Sequence, residues 1–254
     1  MYEKELKIAI QAVKKSEKTF RHFFGTKTKV QKKNNDIRNL VTFADKKIER
    51  DIKTFILNQF PAYGFIGEES GIHKNQSEMV WILDPIDGTS NFIQGLPYCA
   101  ISLALYKGSE PVVAIVYNPN TKQLYNATLN GGASLNGKRI SVSSTNKLIS
   151  SLGGLGWGGT PQLGLQLMEK IIKKVRKIRV YSCSSLELCM VATGQYDFYV
   201  NKNIKIWDFA AAMLIVKEAG GIVTDSLGNA LSEKSTEIVA TNAKLHGDIK
   251  KLTK

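Results

Sequence analysis

Asp84 and Asp87 stand three residues apart in the stretch Trp81-Ile82-Leu83-Asp84-Pro85-Ile86-Asp87-Gly88-Thr89, a spacing at which two carboxylates can serve one cation. The apolar run Met79 to Leu83 reads as a buried strand that stops at an acid followed by proline. Pro85 fixes its own φ and biases Asp84 away from the helical region, so the two carboxylates sit on a stiff turn. Converging carboxylates repel unless a proton or a cation lies between them. A hard divalent ion such as Mg²⁺ suits oxygen ligands of this kind. Gly88-Thr89 then opens a predicted short helix, Ser90 to Ile93, whose first turn offers backbone N–H groups to an anion. Metal beside a phosphate-sized anion is the chemistry this stretch points to.

Other acids end apolar runs in the same way. Leu40-Val41-Thr42-Phe43-Ala44 leads to Asp45, at the start of a predicted helix with Ile48, Ile52, Phe55, Ile56 and Phe60 on one face. Taken alone, Asp45 reads as a helix cap. Tyr63 to Ile66 is a predicted strand running into Gly67-Glu68-Glu69-Ser70. Ile206-Trp207-Asp208 opens an almost wholly apolar helix, Phe209 to Ala219, closed by Gly220-Gly221, and there too an acid at the start reads as an N-cap.

The elements around these acids change character along the chain. Residues 2–24 predict one long amphipathic helix, and 27–36 a polar loop. Residues 98–143 read as an antiparallel meander, with a hairpin signal at Asn136-Gly137. The run Gly153 to Gly159 lacks the Lys-Ser/Thr ending of a P-loop and reads as a flexible connection. Helices over 162–174 and 184–193 then alternate with strands at 178–181, 196–200, 222–224 and 238–241. Without a strict βαβ repeat, an α+β layered fold is expected.

Composition sets the frame. A chain of 254 residues, 43% hydrophobic and 22% charged, has the makeup of a globular protein, expected here as one unit of two close lobes, about 1–145 and 146–254. No run approaches the roughly 20 apolar residues that span a bilayer, and the charged N-terminus lacks a signal-peptide core, so a cytoplasmic protein is expected. Cys99, Cys183 and Cys189 have no metal-ligand spacing and read as reduced thiols. The net charge of +13 suits either attraction of anionic metabolites or nucleic-acid binding. The basic clusters at 27–33 and 170–179 match no nucleic-acid module, which favours the first.

Gly67-Glu68-Glu69-Ser70, Trp81 to Thr89, and Trp207-Asp208-Phe209-Ala210-Ala211 through Gly220-Gly221, in this order and spacing, resemble the inositol monophosphatase family of Mg²⁺-dependent, often lithium-sensitive phosphatases. Leu40-Val41-Thr42, Asn136-Gly137 and Ala192-Thr193-Gly194 extend the resemblance over nearly the whole chain. It implies an α/β/α/β/α sandwich, usually homodimeric. It also implies that Glu68, Asp84 and the Ile86 carbonyl hold one Mg²⁺, that Asp84, Asp87 and Asp208 hold a second, and that a third lies near Glu68. Thr89 and Asp45 would position and deprotonate the attacking water, with Glu68 among the catalytic groups. Amides of Gly88 and Thr89 would take the phosphate, and Ser184, Asn201 and Asp208 would face the leaving group.

The resemblance loosens where the leaving group would bind. Inositol-type members usually carry a glutamate where this chain has Asn201, a weaker acceptor, and a glycine followed by small residues where it has Tyr181-Ser182-Cys183-Ser184-Ser185. Relatives act on inositol phosphates, fructose 1,6-bisphosphate, histidinol phosphate, NADP or 3′-phosphoadenosine 5′-phosphate. Asn91-Phe92 leans toward the inositol and sugar phosphatase branch. An RNA-associated regulatory protein on the same scaffold is the non-enzymatic alternative.

Overall fold

Strand alternation sorts the buried side chains of the described residues into three cores, and the layers follow from that sorting. The computed structural model describes residues 2–26, 31–32, 40–73, 75, 77–157 and 160–253. In chain order, α1 (Glu3–Lys15) and α2 (Glu17–Phe23) precede β1 (Gln31–Lys32), β2 (Leu40–Val41), α3 (Phe43–Gln59), β3 (Gly64–Gly67) and β4 (Gly71–His73). There follow β5 (Met79–Asp87), α4 (Thr89–Gln94) and the meander β6 (Ala100–Lys107), β7 (Glu110–Asn118), β8 (Gln123–Thr128), β9 (Gly132–Leu135) and β10 (Lys138–Arg139). The remainder is β11 (Leu152–Leu155), α5 (Pro161–Ile172), β12 (Lys177–Arg179), α6 (Ser184–Ala192) and β13 (Phe198–Lys202). It closes with α7 (Ile206–Glu218), β14 (Gly221–Thr224), β15 (Glu237–Asn242) and α8 (His246–Thr253).

β3 to β10 form one sheet, in the order β10-β9-β8-β7-β6-β5-β3-β4, and β11 to β15 a second, in the order β12-β11-β13-β15-β14. Along β6, Ile101, Leu103 and Leu105 face α1 and α3, while Ala100, Ala104 and Tyr106 face α6 and α7. In β13, Tyr199 joins that same middle core, and Phe198 and Val200 point the other way, to α5 and α8. The result is an α/β/α/β/α sandwich. α7 is apolar all round because it lies between two sheets. Phe209, Met213, Leu214, Ile215 and Val216 are among its buried residues. At ~1.5–3 kcal/mol per large side chain, their burial contributes on the order of 10 kcal/mol, and it anchors the helix that starts with Asp208.

Several local expectations change. The predicted helix over 2–24 is broken at the buried Ser16, whose hydroxyl donates back to the Ala12 carbonyl (3.3 Å). The first part of the glycine run, through Leu155, belongs to the strand Leu152–Leu155 rather than to a loose connection. Gly156 and Trp157 lie beyond the strand, and residues 158–159 lie outside the described residues. A Cβ on Gly153 would lie 2.4 Å from the Phe198 ring, and one on Gly154 2.7 Å from Glu187 Oε1, so the sheet itself needs glycine there. β4 and α8 are additions that the sequence pattern did not announce. The 27–36 loop and its basic cluster lie outside the described residues, apart from Gln31–Lys32, which pair with Leu40–Val41.

Candidate active site

Parallel pairing of β3 with β5 places Gly67 opposite Leu83, so the two strands deliver Glu68 and Asp84 to the same sheet edge. The Glu68 N–H donates to the Leu83 carbonyl (3.2 Å), which fixes that register at its last step. β5 pairs regularly with β6 up to Asp84 and resumes at Asp87, with an irregularity across Pro85-Ile86. Proline lacks the N–H that the ladder would use, so the strand bulges there and re-aims the side chains.

One pattern unites the four aspartates. Each ties a carboxylate oxygen to a backbone N–H. Asp84 Oδ1 accepts from Ile86 N (3.0 Å), Asp87 Oδ2 from Ser185 N (2.6 Å), Asp208 Oδ2 from Lys205 N (2.9 Å) and Asp45 Oδ2 from Thr42 N (2.8 Å). Asp45 and Asp208 are not the N-caps their positions suggested: those are Thr42 and Lys205. Each acid sits at the third helical position and accepts the N-cap's backbone N–H, which leaves a second oxygen that can face the site. For Asp45 that is Oδ1, which accepts from Thr89 Oγ1 (3.3 Å), a hydroxyl that also reaches the Ile86 carbonyl (3.0 Å).

Electrostatics show that these acids converge. Burial, then Glu68, Asp87 and Asp208, hold the Asp84 carboxyl well above the usual carboxylate range. Burial and Asp87 do the same to Asp208. Burial raises Asp87 as well, against the opposing hydrogen bonds from Ser185 and Cys183. Glu68 raises Asp84 both through its charge and as a hydrogen-bonding neighbour, so in the absence of a cation Asp84 favours its protonated form. A cation can take that proton's place. Among the described residues no three His, Cys, Asp or Glu side chains already close on one point at ligand distance. Mg²⁺ needs no such cage, since it keeps several waters and uses one or two carboxylates. An all-oxygen set of Glu68, Asp84, Asp87, Asp208 and the Ile86 carbonyl therefore fits a hard divalent ion.

Gly88 joins the bulge to α4 at φ +84°, and a Cβ there would sit 2.7 Å from the Tyr98 carbonyl oxygen. Only glycine fits. On the facing wall, Ser184 Oγ meets Tyr199 OH (2.9 Å), and Asn201 Nδ2 donates to both (3.3 and 3.2 Å). Asn201 is backed by Gly156, whose Cβ would overlap its amide, so Ser184 is the more exposed member of this trio.

Sequence reasoning missed the clamp on Asp87. Besides the Ser185 N–H, the same Oδ2 accepts from Ser185 Oγ (2.6 Å) and Cys183 Sγ (3.2 Å). These donors stand 96 and 98 residues away in sequence, and no local pattern announces them. On the proposal that Asp87 serves Mg²⁺, Ser185→Ala should weaken Mg²⁺ binding about tenfold, as loss of a group that orients a metal ligand does, measured by isothermal titration. Unchanged affinity would make the hydroxyl dispensable.

Against known proteins, the profile of the inositol monophosphatase family matches residues 1–254. The chain belongs to the inositol monophosphatase family. An inositol-1-monophosphatase of Rhizobium meliloti is 37% identical over 93% of this chain and 91% of its own length. A fructose-1,6-bisphosphatase/inositol-1-monophosphatase of Aquifex aeolicus is 34% identical over 99% and 96%. Among solved structures, the Thermotoga maritima IMPase superposes with a TM-score of 0.92 at 32% identity, covering 98% of this chain and 96% of that one. Membership makes the chain a phosphoric monoester hydrolase acting on small phosphorylated substrates. Among the described residues no helix is long and apolar enough to cross a membrane.

Proposed function

We propose that this inositol monophosphatase family member is a Mg²⁺-dependent phosphomonoesterase whose substrate is inositol monophosphate or a related sugar phosphate. The observation that carries the reading is the convergence of Glu68, Asp84, Asp87 and Asp208, three of them pinned by backbone N–H groups. Glu68, Asp84 and the Ile86 carbonyl would hold one ion and Asp84, Asp87 and Asp208 a second, with a third near Glu68. Bound there, Mg²⁺ supplies charge neutralisation, a more acidic water and stabilisation of the leaving oxygen.

The chain's own groups do the rest. Amides of Gly88 and Thr89, at the start of α4, receive the phosphate. The Thr89 hydroxyl donates to Asp45, and its lone pairs orient the attacking water in line with the ester bond. As the water oxygen bonds to phosphorus and the ester P–O bond breaks, the water proton passes through Thr89 to Asp45. The alcohol leaves with a proton drawn from solvent. Ser184, held by Tyr199 and Asn201, offers a hydroxyl to the leaving group, with Asp208 beside it. Positive net charge draws phosphate esters to the site. The working form in this reading is a cytoplasmic homodimer.

Phosphate release from inositol 1-phosphate, fructose 1,6-bisphosphate, histidinol phosphate, NADP and 3′-phosphoadenosine 5′-phosphate, with Mg²⁺ and with EDTA, tests this. We expect release from inositol monophosphate to lead the panel and EDTA to abolish it. No Mg²⁺-dependent release from any member would overturn the reading.

A further inference from the structure

Glu49 is 2% exposed and stands one helical turn after Asp45 on α3. Its carboxylate makes a fork on the backbone that follows Glu68. Oε2 accepts from Glu69 N (2.9 Å) and Oε1 from Ser70 N (2.6 Å). The fork closes over Gly67, where an added Cβ would lie 2.5 Å from Glu49 Cδ, so the glycine is the space the carboxylate occupies. Lys46, Arg50, Lys53 and Glu69 line the same cleft, and Lys53 Nζ reaches Ser70 Oγ (3.4 Å). On the other side of the loop, Glu68 N is fixed to Leu83. Glu68 is thus held from behind by α3 and from the front by β5.

We propose that Glu49 is a positioning residue for Glu68: it sets the loop that presents Glu68 to the metal and ties it to the helix carrying Asp45. A carboxylate suits this task because it accepts two parallel N–H bonds without rotating, and charge-assisted bonds are the stronger kind. An amide of the same shape offers one acceptor, and its NH₂ would confront the second backbone donor. The two acids at i and i+4 on one face of α3 then divide the labour, Asp45 for the water and Glu49 for the metal-binding loop. The inference rests on the reading that Glu68 serves Mg²⁺.

Isothermal titration of Mg²⁺ into the full-length chain, with Mn²⁺ electron paramagnetic resonance as a second readout, tests it. Glu49→Gln should lower the affinity at the Glu68 site about 10- to 100-fold, the range for groups that orient a ligand, with activity partly recovered at high Mg²⁺. Gly67→Ala keeps the charge but displaces the carboxylate, and should reproduce the loss even where Glu49→Gln folds poorly. A lowered melting temperature with unchanged Mg²⁺ affinity in both variants would reduce Glu49 to a structural clip and overturn the proposal alone. A wild-type chain that binds no Mg²⁺ would overturn it together with the functional reading.

Discussion

Asp84→Asn is expected to cut Mg²⁺-dependent phosphate release by on the order of 10³-fold, because metal charge stabilisation is worth several kcal/mol in the transition state. The same change should stabilise the metal-free chain. Asp84 is 2% exposed, and burial with three neighbouring carboxyls holds it well above its ordinary 3.8. A carboxyl raised in this way binds its proton more tightly folded than unfolded. Its contribution to stability is full below pH ~4 and is lost as pH rises through the folded-state value. In EDTA the wild-type chain should therefore lose stability from pH ~4 toward neutrality, and the variant should lose less. Near pH 7.5 we expect the variant to melt about 2–4 °C higher, the shift that ~1 kcal/mol makes in a chain of this size. Added Mg²⁺ should reverse the order, since only wild type gains full binding energy. Calorimetry in EDTA and in Mg²⁺ measures both. A variant less stable than wild type without metal would mean that Asp84 serves the fold rather than the ion.

That opposition between stability and chemistry explains which parts of the site could be read from sequence. Asp84, Pro85, Asp87 and Gly88 announce themselves because a buried strand ending in acids is locally costly, and a local conflict marks function. Asp45 and Asp208 were visible as acids that satisfy a helix N-terminus, and in the structure they do so from the third helical position, behind Thr42 and Lys205. Their second role depends on which strand edges meet them, and that is set by pairings such as Gly67 with Leu83. Ser185, Cys183 and Glu49 gave no sign, because the first two act on Asp87, 98 and 96 residues away at the end of β5, and Glu49 on the backbone of Glu69 and Ser70, through hydrogen bonds that no local pattern announces. The glycine run misled for a related reason. Glycine in a turn and glycine beneath a Phe198 ring look alike until the neighbouring strand is known. The layered fold was legible where the apolar runs were long and unbroken, as in α7 and the meander strands. It was least so at Ser16, where a single back-bonded hydroxyl divides one periodic pattern into two helices.

The Asp45–Thr89 pair carries the other large expected effect, and its signature is in the pH profile. Burial pushes the Asp45 carboxyl up to about 7, partly offset by its bonds from Thr42, with Glu69 and Glu68 raising it further. Its ionised form, the one able to take a proton from water through Thr89, therefore gains population as pH rises through about 7 in the metal-free chain. Cations arriving beside it favour ionisation, so raising Mg²⁺ should move the acid limb of kcat/KM to lower pH. Thr89→Ala should lower kcat by about 10²–10³-fold, within the range for general acid–base groups, and leave Mg²⁺ affinity nearly intact. Thr89→Ser keeps the hydroxyl and should recover much of that loss. Asp45→Asn should cost a similar factor and flatten the acid limb. The proposed relay through both side chains predicts a double variant little worse than either single one. A steep acid limb that persists in Asp45→Asn would assign the titration to another group, and multiplicative losses in the double variant would break the relay into two independent contributions.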